Sequence, residues 1–390
     1  MAAPLLCALL HALVAPPGRT PRAFPRHGAA VLCAPRGGLR LLEWLPSQQL
    51  LVRTARRGWY FCWRTMLSEL APQSAEGAYV RPAAQLGSVS GWPAELPAVR
   101  GRYQLYVGNA CPWCHRAAAT LALRRLEGVV GVTRLVDDPE RASRGGWAID
   151  EADPDPLCGA ADLRQVYDAC TEGGAYRGRC TAPLLVDLYT SSIISNESGD
   201  IVRMLNGLDV PAPDDNAIGR AIELYPVDLR ADIDEVNRWV YEEVNNGVYR
   251  AGFCTSQAAY EVAEADVHRG LARCDAILAK SRFLCGDALT EADVRLLPTA
   301  VRFDGVYASL FRCGRRQIRS DYPNVERWMR EVLALTGDQW FDLEAARCSY
   351  YKNLFPLNPG GIVPAGPTAE ELGLVVGKLA TMDEGAFRWK

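Results

Sequence analysis

Histidine is scarce in this chain: the 390 residues include only four, and His11 and His27 lie in an unusual N-terminal region. So few histidines argue against a zinc site built from cysteine and histidine, and against a Ser-His-Asp triad. No run of 18 apolar residues occurs, so we expect no transmembrane helix. The 13 cysteines lack the dense, even spacing of a secreted disulfide framework, and most are expected to be reduced. The net charge of −3 gives no reason to expect nucleic acid as a partner.

Acidic residues are absent from residues 1–42, where arginines stand in a background of proline, alanine and glycine. Arginine-rich, acid-free N-termini are typical of organelle transit peptides, and the apolar stretch Leu5–Val14 resembles the core of a signal peptide. We therefore expect residues 1–60 to be a targeting segment. A plastid destination is favoured, with the mitochondrion and the cytoplasm left open, and a plain disordered tail is the alternative.

The most informative stretch surrounds Cys111. A mostly apolar run from Tyr103 to Val107 predicts a short buried strand, and Cys111-Pro112 then opens a helix expected to continue to Gly128. A cysteine at a helix N-terminus lies beside unpaired N–H groups and the positive end of the helix dipole, which favour its thiolate. Such cysteines attack disulfides or electrophilic carbon.

The elements around this cysteine follow an order that is typical of one fold. A second strand is predicted over residues 129–136, a helix over 163–170, a pair of strands over 181–187 and 191–195, and a helix from Asn196. This order predicts an α/β thioredoxin-like, glutathione-binding domain over residues 61–212. A cis Ala182–Pro183 bond would leave the backbone of Ala182 free to pair with a peptide-like ligand; a trans proline on an edge strand is the alternative.

After residue 221 the hydrophobic pattern of the sequence becomes that of long amphipathic helices, which are predicted over 228–244 and 257–280. Thr290 and Asp293 form a capping box, and Leu289 is placed to pack on Val294 as its hydrophobic staple. This device starts a buried helix and is structural rather than catalytic. We expect an all-α domain over residues 213–345, followed by a C-terminal extension over 346–390.

A thioredoxin-like domain followed by an all-α domain with this capping box resembles a glutathione transferase. Further motifs are similar to those of the glutathionyl-hydroquinone reductases, also called Xi-class glutathione transferases, over about residues 75–368. These motifs are Ala110-Cys-Pro-Trp, Asn196-Glu-Ser, Asn245-Asn-Gly-Val-Tyr-Arg, Val301-Arg-Phe-Asp and Leu357-Asn-Pro-Gly-Gly-Ile.

The resemblance implies an activity. Cys111 would attack the glutathione sulfur of a glutathionyl-hydroquinone, releasing the hydroquinone, and a second glutathione would resolve the mixed disulfide. Glutathione would be the co-substrate, with no metal and no permanently bound cofactor. The resemblance also implies a homodimer.

The resemblance further assigns roles to individual residues. Tyr249 and Tyr307 correspond to tyrosines of the hydroquinone pocket, where a phenol can stabilise the leaving phenolate. Five residues correspond to the glutathione site: Trp147, Arg164, Ala182, Glu197 and Ser198. His115, one turn into the helix of Cys111, is expected to be structural, with tuning of Cys111 as the alternative. Arg116 is expected to be a structural ion-pair partner.

The chain departs from the family at two places. Cys114 stands where the family usually has a small residue, which gives a Cys-Pro-Trp-Cys motif closer to glutaredoxin. Cys114 is either a resolving thiol within reach of Cys111 or a small apolar residue. Residues 348–354 lack the histidines usual in the family. A glutaredoxin-like thiol transferase, a dehydroascorbate reductase and a non-catalytic binding module are therefore the alternatives; the intact set of Cys111, Trp147 and Glu197 argues against the last.

Overall fold

The computed structural model of the protein describes residues 48–83, 86–87, 91–209, 222–337, 339–374 and 388. The expected targeting segment lies mostly outside these residues, so its role stays a prediction. The first helix, α1 (Gln48–Leu70), crosses residue 60, where we expected the fold to begin. Near its end, Leu67 is fully buried, and Trp63 donates through Nε1 to the carbonyl oxygen of Pro356 at 3.1 Å.

Five strands form a mixed sheet in the described part of the chain. They are β1 (Tyr103–Gly108), β2 (Gly131–Asp137), β3 (Trp147–Ile149), β4 (Leu184–Asp187) and β5 (Ser192–Ser195). The order across the sheet is β3-β2-β1-β4-β5, with β1 and β2 parallel and the other neighbours antiparallel. Every residue of β1 is buried, as its apolar run and its central place require.

Three helices of the first domain flank this sheet: α2 (Pro112–Leu123), α3 (Leu163–Ala169) and α4 (Ser198–Gly207). Helix α2 ends earlier than the expected stop at Gly128, because the backbone reverses at Arg125, whose φ is 51°. Strand β3 was not predicted, since a three-residue strand is too short to show a period. The Ala182–Pro183 bond is cis, which confirms that prediction.

The second domain is all-α, as predicted. Its helices are α5 (Arg230–Trp239), α6 (Gly247–Phe253), α7 (Gln257–Leu278), α8 (Glu291–Arg302), α9 (Ala308–Leu310), α10 (Ile318–Asp321), α11 (Pro323–Thr336) and α12 (Leu343–Asn353). The helix predicted over 228–244 is interrupted after Trp239 by a π-helical segment, Val240–Asn245, and a second such segment spans Phe303–Tyr307. These segments shift the helical register just before Tyr249 and at Tyr307.

The predicted capping box is present at the start of α8. Asp293 is fully buried and accepts hydrogen bonds from the backbone of Thr290 and Leu284, both at 3.0 Å, and from Trp328 Nε1 at 2.8 Å. Within the described residues, no helix is both long enough and apolar enough to span a membrane.

Helix α2 contacts both domains. Ala117 and Leu121 pack into the core beside the sheet, whereas Ala119 and Leu123 pack into the core of the helical domain. Because α2 is buried on both faces, its N-terminus opens at the interface between the two domains. The residue immediately before it is Cys111.

Candidate active site

Cys111 is the N-cap residue of α2, and its backbone N–H donates to the carbonyl oxygen of Gly108 at 3.2 Å. Its sulfur lies 3.5 Å from the carbonyl oxygen of Ala182. Burial raises the pKa of Cys111, but hydrogen bonds from Cys114 and the backbone of Trp113 outweigh it and lower the pKa to about 7. The thiol is therefore set to ionise near neutral pH, as expected for a nucleophilic cysteine.

The pKa of Cys114 is shifted in the opposite direction from that of Cys111. It is 1% exposed, and burial, together with its hydrogen bond to Cys111, raises its pKa well above the usual range. Both cysteines are free thiols in this structure. Cys114 thus stays protonated and donates to the sulfur of Cys111.

A cleft of about 150 Å³ is lined by three of the five predicted glutathione-site residues, Ala182, Glu197 and Ser198, and the first of these contacts the Cys111 sulfur. Glu197 caps α4, accepting from the N–H of Gly199 at 3.0 Å. The Ser198 hydroxyl accepts from Arg116 Nη2 at 2.5 Å. These contacts fix both side chains at the N-terminus of a ten-residue helix, where backbone N–H groups bind anions.

The other two predicted residues lie elsewhere. Trp147 is the first residue of β3, and its ring covers Gly108, where an added Cβ would stand 2.2 Å from the ring carbon Cζ3. Arg164 donates through Nε to both carboxylate oxygens of Asp168 at 2.8 Å. Neither residue lines the cleft, so their contact with glutathione stays a prediction.

Sequence reasoning missed several cleft residues, among them Arg81, Trp113 and Arg179. Two guanidinium groups lie over the Trp113 ring, with their carbon atoms 4.1 Å (Arg81) and 4.7 Å (Arg116) from the ring centroid. Trp113 follows the nucleophile by two residues, which was an available signal. The two cleft arginines lie in irregular segments and have no periodic pattern.

Both predicted tyrosines belong to one hydrogen-bonded chain of hydroxyl groups. The Tyr350 hydroxyl lies 2.7 Å from that of Tyr249 and 3.1 Å from that of Tyr307. Burial raises the pKa of all three phenols, so each is neutral and can donate a proton. Tyr307 is fully buried, whereas Tyr249, at the other end of this row of hydroxyl groups, is partly exposed. The ring centroid of Tyr249 lies 6.1 Å from that of Trp113.

Tyr350 was also missed, although residues 348–354 had been noted for their missing histidines. It lies on α12, beyond the expected end of the helical domain at residue 345, and only the folded chain brings it to Tyr249. In the sequence, Tyr350 stands between two other polar residues, and this position predicts no particular role.

The thioredoxin-like sheet, the helix-capping cysteine and the all-α second domain together define the glutathione transferase fold. Residues 257–331 match the glutathione S-transferase C-terminal domain family. Glutathionyl-hydroquinone reductase PcpF of Sphingobium chlorophenolicum is 39% identical over 315 residues, which cover 78% of this chain and 94% of that protein.

Solved structures of Xi-class glutathione transferases and related proteins are similar to this chain. The glutathione-S-transferase Xi of Phanerochaete chrysosporium superposes with a TM-score of 0.67 at 39% identity, covering 76% of this chain and 94% of that one. Glutathione-bound YqjG of Escherichia coli K-12, described as a glutathione transferase homolog, gives 0.64 at 35% identity, covering 80% and 94%. This chain belongs to the glutathionyl-hydroquinone reductases, the Xi class of glutathione transferases.

Proposed function

We propose that this protein reduces glutathionyl-hydroquinones to hydroquinones at the expense of glutathione, with Cys111 as the nucleophile. The observation that carries the proposal is the place of the Cys111 sulfur. It lies 3.5 Å from Ala182, which lines the glutathione cleft, and Trp113 joins that cleft to the ring of Tyr249. A substrate made of glutathione and a phenolic ring needs these two surfaces on either side of one thiolate.

The cleft supplies a partner for each polar part of glutathione. The N–H groups at the start of α4 and the Ser198 hydroxyl bind the γ-glutamyl carboxylate, and Glu197 binds the amino group. The backbone of Ala182 pairs with the cysteinyl unit. Arg81 and Arg179 add positive charge for the second carboxylate of the tripeptide.

The reaction proceeds in two exchanges. The Cys111 thiolate attacks the glutathione sulfur; a disulfide forms while the bond between that sulfur and the aromatic carbon breaks. The attack follows tautomerisation, in which the ring carbon that bears the sulfur gains a proton and the neighbouring hydroxyl loses one, so the electron pair of the broken bond passes to the ketone oxygen as phenolate. This phenolate then takes up one proton to give the hydroquinone. A second glutathione thiolate then attacks the glutathione sulfur of the mixed disulfide, releasing glutathione disulfide and the Cys111 thiolate.

The tyrosines act on the phenolate that develops in the first exchange. Tyr249 is the partly exposed end of the hydroxyl chain, and in this proposal its hydroxyl donates to the ring, while Tyr350 and Tyr307 stand behind it. When Tyr307 donates to Tyr350 and Tyr350 donates to Tyr249, the proton of Tyr249 is left for the substrate.

The assay that tests the proposal supplies a glutathionyl-hydroquinone with glutathione and measures hydroquinone release by chromatography. We expect turnover with wild-type protein, and a kcat/KM well above that for reduction of dehydroascorbate with glutathione. Release of no hydroquinone would contradict the proposal. Efficient dehydroascorbate reduction in its place would favour the thiol-transferase alternative.

Cys114 serves, in this proposal, as a hydrogen-bond donor to Cys111 and not as the resolving thiol. Alkylation of Cys111 by iodoacetamide should rise with pH through a midpoint of about 7 and level off above it, because only the thiolate reacts. Cys114→Ser keeps a donor and should leave the midpoint nearly unchanged. Cys114→Ala loses the donor, which raises the pKa of Cys111, and alkylation at pH 6 should slow by about tenfold for each unit of that rise.

The two variants also separate the donor role from the resolving role. With glutathione present, Cys114→Ser should turn over glutathionyl-hydroquinone at close to the wild-type rate. A Cys114→Ser protein that accumulates the Cys111–glutathione disulfide and stops turning over would identify Cys114 as the resolving thiol.

A further inference from the structure

Arg302 is a fully buried residue that links the two domains at the active-site loop. It is the last residue of α8, in the helical domain, yet its guanidinium bonds the loop that carries the nucleophile. Nη2 donates to the carbonyl oxygen of Asn109 at 2.7 Å, and Nε donates to that of Ala110 at 3.2 Å. These are the two residues immediately before Cys111.

The remaining partners of Arg302 are also uncharged. Nη1 donates to the carbonyl oxygen of Pro298 at 2.9 Å and lies 3.1 Å from His115 Nδ1. Since a guanidinium only donates, Nδ1 of His115 accepts this bond; burial holds the pKa of His115 well below its usual range, so the ring is neutral. The Phe341 ring lies 4.3 Å from the guanidinium carbon and stacks on His115.

The other buried arginines of the described residues each have a carboxylate partner, whereas Arg302 does not. Arg116 pairs with Glu197, Arg124 with Asp209 and Arg347 with Glu344. No carboxylate of the described residues lies within 4.0 Å of Arg302. A buried cation without an anion is costly, so a negative charge close to Arg302 gains stability from it.

The Cys111 thiolate is such a charge. Titratable and charged groups that interact with Cys111 include Cys114 from α2, Arg302 from α8, and the neutral phenols of Tyr249 and Tyr307. Arg302 is the only cation in this set, and its guanidinium lowers the pKa of Cys111. It also restrains the backbone on the N-terminal side of the sulfur.

We infer that Arg302 is a positioning residue for the nucleophile: its uncompensated charge stabilises the Cys111 thiolate, and its bonds to Asn109 and Ala110 fix the loop that carries the sulfur. The inference rests on the proposed role of Cys111 as the nucleophile, but not on the identity of the aromatic substrate. It adds to the site a residue of the second domain that does not line the proposed glutathione cleft.

The test measures the pH dependence of Cys111 alkylation by iodoacetamide in two variants, without any quinone. Arg302→Gln keeps N–H donors for the two carbonyl groups but removes the charge, so the midpoint should rise by about one pH unit and alkylation at pH 6 should slow about tenfold. Arg302→Lys keeps the charge, so its midpoint should stay near that of the wild type. Its kcat/KM for the reductase reaction should nevertheless fall, because an ammonium cannot hold both carbonyl groups as a fork.

Arg124→Gln is the matched control. Arg124 lies at the other end of α2, is equally buried, and donates to the carbonyl oxygens of Ile222 and Leu208 at 2.8 and 3.2 Å. Its alkylation midpoint should equal that of the wild type. The inference is overturned by an unchanged midpoint in Arg302→Gln, or by shifts of equal size in Arg302→Lys or Arg124→Gln. Alkylation of Cys111 is measured without any hydroquinone substrate. Its result therefore separates a failure of this inference from a failure of the proposed function.

Discussion

Cys111→Ser is expected to lower kcat/KM for glutathionyl-hydroquinone reduction by at least about 1000-fold. A serine hydroxyl in the same place has almost no anionic form near neutral pH and cannot form a disulfide with glutathione. The surroundings of residue 111 are otherwise unchanged, because the hydroxyl can still donate to the carbonyl oxygen of Ala182. The measurement is hydroquinone release at subsaturating substrate.

Glutathione binding and folding provide the controls for that loss. Cys111→Ser should still bind glutathione in a thermal-shift titration, since Glu197 and Ser198 remain in place. Cys158→Ser removes an exposed free thiol that does not line the cleft, and it should retain wild-type activity. If Cys111→Ser kept more than a tenth of the wild-type kcat/KM, Cys111 would not be the nucleophile.

Tyr249→Phe should lower kcat by about 100-fold, with little change in the glutathione concentration needed for half-maximal rate. The substitution removes the hydroxyl that is proposed to stabilise the developing phenolate and leaves the glutathione cleft intact. Steady-state kinetics at several glutathione concentrations separates the two parameters. A wild-type kcat for Tyr249→Phe would show that the phenolate is stabilised by other groups.

The other members of the hydroxyl chain should rank below Tyr249. Tyr350→Phe removes both hydrogen bonds of the chain and should cost about tenfold in kcat, since Tyr249 loses the donor behind it. Tyr307→Phe removes only the innermost hydroxyl and should have the smallest effect of the three. A larger loss in Tyr307→Phe than in Tyr249→Phe would mean that the ring of the substrate reaches deeper into the cluster.

Features set by neighbouring residues in the chain were predictable from the sequence. The strand before Cys111, the helix opened by Pro112 and the capping box at Thr290 each depend on a few adjacent residues. These features can be recognised without knowing the tertiary structure, because a helix start needs only a cap, a proline and an apolar run. The cysteine and the start of α4 could therefore be placed at their elements in advance.

Features set by the meeting of distant segments could not be predicted in this way. Tyr350 reaches Tyr249 across 101 positions of the chain, and Arg302 reaches His115 across 187. A tyrosine in a helix and an arginine at a helix end are ordinary in sequence. The resemblance to the family assigns Arg164 to the glutathione site; within its own helix it pairs with Asp168 one turn later, and its contact with glutathione stays a prediction.

In the proposed mechanism, the glutathionyl group of the substrate forms a covalent bond to Cys111. Mass spectrometry after one mixing of wild-type protein with glutathionyl-hydroquinone, with no free glutathione and with an acid quench, tests it most directly. We predict one glutathione on the peptide that contains Cys111, with an equal amount of hydroquinone in solution. Hydroquinone release with Cys111 unmodified would contradict the mechanism, and a Cys111–Cys114 disulfide in place of the adduct would contradict the donor role given to Cys114.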